Sequence, residues 1–156
     1  MTRKWITLAA SLSLALGMGL SATAFSSFED EPTTELGKIM EKVQKQKAVL
    51  TKGCRNKAAY AKARDNVKDA AEQWVKFAEE VKPHNQTAKD AKDVPDAEKK
   101  WDEFCDNWHK EAKKLAELVA KDETTQKEAK DQLNTVNKTC TECHQVFRID
   151  ADDDDF

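Results

Sequence analysis

Residues 129–148 read Ala129-Lys-Asp-Gln-Leu133-Asn-Thr-Val136-Asn-Lys-Thr-Cys140-Thr-Glu-Cys143-His144-Gln-Val-Phe147-Arg148. Ala129, Leu133, Val136, Cys140, Cys143 and Phe147 follow one another at intervals of three and four, the spacing of one face of an α-helix. Just upstream, Asp122 to Thr125 supplies a turn and a cap.

Three further stripes of the same period precede it. Trp101, Phe104, Cys105, Trp108, Ala112, Leu115 and Val119 mark a helix with Asp96 as its cap. Before that, Val67, Ala70, Ala71, Trp74, Phe77, Ala78 and Val81 lie on one face of a helix running from about Asn56 to Val81, where Pro83 stops it. Residues 82–95, with two prolines, form the longest loop. The first helix starts at Thr33 or Thr34, carries Leu36, Ile39, Met40, Val43 and Leu50, and ends at Gly53. Lys47 interrupts its stripe. The chain is rich in Ala, Lys, Glu and Asp and poor in Gly and Pro, which favours helix over sheet. Four helices with short or moderate connections predict an all-α fold, an antiparallel four-helix bundle.

The N-terminus is of another kind. Arg3 and Lys4 precede an uncharged apolar run, Ile6 to Leu20, and Ala22-Thr23-Ala24 offers the small residues a signal peptidase reads. Residues 1–24 are expected to be a signal peptide. A membrane anchor is the alternative, and the small-residue exit favours cleavage. The processed protein is then exported, to the periplasm or an equivalent space, with no membrane span left. Removing residues 1–24 takes away two positive charges and no acid, so the formal charge falls from −3 to −5. That is not the balance of a nucleic-acid binder. Residues 25–149 suit one domain, and 150–156 form an acidic tail with five aspartates.

Cys140-Thr-Glu-Cys143-His144 carries the chemistry. C-x-x-C-H is the attachment signature of c-type haem. Two thiols three apart on a helix lie on the same side and can reach the two vinyl groups on one porphyrin edge. The adjacent imidazole then serves the iron. A thioredoxin-like C-x-x-C would follow a strand at a helix N-terminus, and here it lies near a helix end. Zinc would need two more ligands in convincing spacing, which Cys54, Cys105, His84 and His109 do not offer. A Cys140–Cys143 disulfide would close a strained, short loop. One covalently attached haem c is the expected cofactor.

Helical stripes followed by this motif, with Phe147 and Arg148 just after it, resemble the cytochrome c′ family and its low-spin relatives. The resemblance in architecture spans about residues 33–148. It implies a four-helix bundle with the haem motif in the last helix. It also implies an aromatic residue at 147 and a basic one at 148 close to the haem, so Arg148 joins Cys140, Cys143 and His144 as a cofactor-binding residue.

Met40 is the candidate sixth iron ligand. In an alternating bundle, the start of the first helix and the end of the last lie together, and Met40 is on the inward stripe. It is the one methionine outside the signal segment. Low-spin members of the resembled family use a methionine near the start of the first helix. The plain alternative is a flexible core filler, and His109 is a competing ligand. Trp74, Phe77, Trp101 and Phe104 are expected to cluster at the haem end, with Trp108 a turn deeper. Export invites a Cys54–Cys105 disulfide, but Cys54 at the first turn is far from the haem end and Cys105 only two to three turns from it, which disfavours a bridge. Otherwise Cys105 is a small buried apolar residue, and Cys54 is free or bridges two chains into a homodimer. The sequence offers no nucleophile, base or oxyanion site, so no enzyme is expected. Two functions remain: a one-electron carrier serving redox partner proteins, or a five-coordinate protein that binds a diatomic gas, nitric oxide or carbon monoxide.

Overall fold

A computed structural model describes residues 34–148. The expected signal peptide at residues 1–24, the lead-in before Thr34 and the acidic tail at 150–156 lie outside the described residues. Among those described there are six helices and no strand: α1 (Glu35–Gly53), α2 (Lys57–Lys62), α3 (Arg64–Val81), α4 (Gln86–Asp90), α5 (Ala97–Ala120) and α6 (Gln126–Phe147).

The helix starts follow from local chemistry. The Thr34 hydroxyl accepts the Gly37 N–H at 3.0 Å. At α6 the Thr125 hydroxyl accepts the Glu128 N–H at 3.3 Å, while the Glu128 carboxylate accepts the Thr125 N–H at 2.9 Å. This reciprocal capping box satisfies two donors that a helix start leaves unpaired.

Asp96 stands where a cap was expected but does not cap with its side chain. It takes a left-handed backbone, φ 53°, and its carbonyl accepts the Lys100 N–H at 2.9 Å. Aspartate is among the few residues that tolerate this conformation. The long loop also holds the short α4, whose Ala88 is buried.

The expected second helix is two. It breaks at Ala63, φ −106° and ψ 14°, where no glycine or proline signals a break. Tertiary anchoring explains it. Arg64 donates to the carbonyls of Lys121 and Thr124 and stacks over the buried Tyr60 ring at 5.4 Å. The break turns α2 toward α1 and α6, while α3 stays against α1 and α5.

The stripes meet in one core. Leu50, Val67, Trp74, Leu115, Val119 and Val136 are almost wholly buried, each worth about 1.5–3 kcal/mol in apolar transfer. Gly53 lets α1 approach α3, since a Cβ there would overlap Val67. Trp74 reaches across from α3 to donate its indole N–H to the Val43 carbonyl at 3.2 Å.

Contacts at the two ends fix what lies near what. At one end, Gln126 at the start of α6 donates to the Cys54 carbonyl after α1, and Lys68 in α3 pairs with Asp122 after α5. At the other, Trp101 in α5 donates to the Lys82 carbonyl after α3 and meets Phe147 at the end of α6. These are the contacts that an alternating order of helix directions gives.

Candidate haem site

At this second end lies a cavity of about 430 Å3, within the range of cofactor pockets. Helix α1 contributes Leu36, Gly37, Met40, Val43, Gln44 and Lys47, the positions a helix brings to one face. Helix α5 contributes Trp101, Phe104, Cys105 and Trp108. From α6 come Thr139, Cys140, Thr141, Cys143, His144 and Phe147, with Arg148 just beyond. Thr34, Val81 and Thr87 complete the wall. All five residues expected at the site, Met40, Cys140, Cys143, His144 and Arg148, therefore face one space.

The aromatic wall is built by α5 and α6. Trp101 and Phe104 set their rings edge-on to Phe147, with centroids 5.5 and 6.1 Å apart. Such pairs add about 0.5–1.5 kcal/mol each beyond area burial. Trp74 and Phe77, expected here, are not in the wall. Both are buried, but they lie one to two turns back along α3 from Val81, and the Trp74 indole is committed to α1. His109 is outside the cavity as well, bridging to Glu79 on α3 at 3.1 Å. Trp108 is two turns deeper than Trp101 and one turn deeper than Phe104, and its indole N–H has no hydrogen-bond partner.

All four cysteines are free thiols, so Cys54 and Cys105 form no disulfide. Cys54 is buried at the opposite end, and burial pushes its thiol up to about 11. Burial also raises Cys140, against which the positive charge of Lys47 acts, and it pushes Cys143 up to about 11. Cys105 goes up to about 12, from burial first and from neighbouring Cys143 second. At neutral pH these are therefore protonated thiols rather than thiolates. The His144 residue is exposed on one side while its ring is partly desolvated. That desolvation, then Arg148 and Lys47, lower its pKa and keep the imidazole neutral, the form that binds a metal.

Two features of the site escaped the sequence. Lys47 reads there as a flaw in the apolar stripe, yet it lies seven residues from Met40 and so on the same face. Cys105 reads as a core residue, yet it faces the same cavity as the motif thiols. Among the described residues no carboxylate lines this cavity, and its cationic side chains are Lys47 and Arg148. Among the described residues, no group of three His, Cys, Asp or Glu is placed to hold a bare metal ion.

The residues fit a c-type haem. Two unbridged thiols and an imidazole stand on one helix wall, facing apolar and aromatic side chains across a space of cofactor size. The family model described as Cytochrome C' matches residues 33–148. The chain belongs to the cytochrome c′ family. Among curated proteins and among solved structures, no match was found. Family membership makes this a c-type haem protein with covalently bound haem c. Members of the family are generally non-enzymatic and typically exported. No helix among the described residues is long and apolar enough to cross a membrane.

Proposed function

We propose that this cytochrome c′ family member is an exported one-electron carrier with a single haem, held by Cys140 and Cys143 and ligated by His144 and Met40. Bound haem supplies an iron centre that gains and loses one electron. The observation that carries the reading is that Met40, on α1, and His144, on α6, line the same cavity. A thioether there raises the potential relative to a second nitrogen ligand and fills the position a gas would take.

The rest of the wall suits the role. Trp101, Phe104, Trp108 and Phe147 exclude water and lower the local dielectric. Lys47 and Arg148 bring positive charge to the cavity wall, which favours the reduced state. Arg148, capping α6 with its N–H on the His144 carbonyl at 3.1 Å, holds the helix end that carries the ligand. The electron partners are proposed to be other redox proteins, with the acidic tail steering a basic one. Export follows from the signal segment at residues 1–24.

Haem attachment is tested by acid-acetone extraction of the exported protein. The colour is expected to stay with the protein, and to be extracted once Cys140 and Cys143 are both replaced by Ser. Complete extraction from the unmutated protein would overturn the assignment.

A further inference from the structure

We propose that Cys105 is a third working thiol of the attachment cavity: before haem is bound, it closes a disulfide with Cys143 that blocks loading until the bond is reduced. This rests on the reading that Cys143 carries a haem thioether.

The register of two helices supports the pairing. Trp101 on α5 meets Phe147 on α6. Further along, the Gln132 side chain on α6 donates to the Glu111 carboxylate and carbonyl on α5, at 3.0 and 3.1 Å. Between these two contacts the helices run past each other in opposite directions. One turn on from Trp101 in α5 is Cys105, and one turn back from Phe147 in α6 is Cys143. Carried from the Trp101–Phe147 contact, this register sets Cys105 beside Cys143, near enough for Cys143 to act on the Cys105 thiol, and both line the cavity. Cys105 is 5 % exposed and Cys143 is packed against the same core. By contrast, Cys140 and Cys143 lie on one helix with their Cβ atoms tilted the same way, a poor geometry for a bond between them.

In an oxidising compartment the chemistry balances against a small disulfide, RSSR. The first protein thiol displaces one RSH to give a mixed disulfide. The second displaces another RSH, leaving the Cys105 Sγ–Cys143 Sγ bond. Two thiols are oxidised, one external disulfide is reduced, and the two protons leave on the two RSH. Cys143 then has no thiol to add to a vinyl group. A dithiol reverses the exchange and restores it.

The test uses the full chain made without haem-attachment machinery, treated with oxidised glutathione and mapped by peptide mass spectrometry. A Cys105–Cys143 peptide is expected. A Cys140–Cys143 bond with Cys105 free, any other pairing, or four free thiols would overturn the proposal. The same oxidised chain should fail to attach added haem until dithiothreitol is supplied, whereas Cys105→Ala and Cys105→Ser should attach it without oxidative block. Equal attachment by the unmutated chain before and after reduction would also overturn it. The disulfide map is read without haem, so its failure is separate from failure of the attachment reading.

Discussion

Truncating Phe147 to Ala should destabilise the bundle and loosen the site together. The ring is 7 % exposed and sits edge-on against Trp101 and Phe104. Phe→Ala in a core costs about 3–5 kcal/mol. Here one side of the ring already borders the cavity, so part of the space left merges with it, and the lower figure of about 3 kcal/mol applies. Phe147→Leu keeps most of the volume and loses mainly the two edge contacts, about 1–2 kcal/mol in all. The assay is urea unfolding of the haem-free chain followed by far-UV circular dichroism. At a slope of about 2 kcal/mol per molar, the midpoint should fall by roughly 1.5 M for Ala and about half that for Leu. A midpoint unchanged by the Ala variant, or Leu as damaging as Ala, would show that the α5–α6 aromatic contact is not what holds this end together.

Two further outcomes follow from single residues. Thr125→Ala removes one half of the α6 capping box and should cost about 1 kcal/mol, read by the same unfolding assay, while Thr125→Ser should cost little. Glu111, mostly buried, is held below its usual value of 4.5, first by the hydrogen bond from Lys114 and then by that from Gln132. A depressed folded pKa contributes stability that is present above the unfolded value and lost as pH falls through the folded one. Stability should therefore decline below about pH 4.5, and Glu111→Gln should flatten that decline while leaving the neutral-to-alkaline limb unaltered.

The long helices and their inward faces are legible in the sequence because burial follows the 3.6-residue period. Val67, Trp74, Leu115 and Val136 fall on the stripes and in the core alike. The C-x-x-C-H motif is legible for a different reason: its chemistry is fixed by three residues at set spacing, whatever surrounds them. Less was legible where tertiary contact overrides local preference. Nothing in the run of Ala and Lys around Ala63 marks a break, because its cause, Arg64 bonded to carbonyls near residue 121, is remote in sequence. Helix direction alone points Trp74 and Phe77 to the haem end, and the depth of each side chain along α3 sets them behind it. By residue type alone, Lys47 reads as a break in the stripe and Cys105 as core. Their positions on the helix faces, seven residues from Met40 and one turn from Trp101, would have placed both in the cavity.

The central claim, that Met40 shares the iron with His144 and makes this protein an electron carrier, is tested most directly by the absorption spectrum of the loaded protein with and without that side chain. The ferric protein is predicted to be low spin with the weak near-infrared band of a sulfur-ligated iron. Met40→Ala should shift it toward high spin and speed carbon monoxide binding to the ferrous form. A high-spin spectrum in the unmutated protein that Met40→Ala leaves unaltered would contradict the account and leave gas binding as the function.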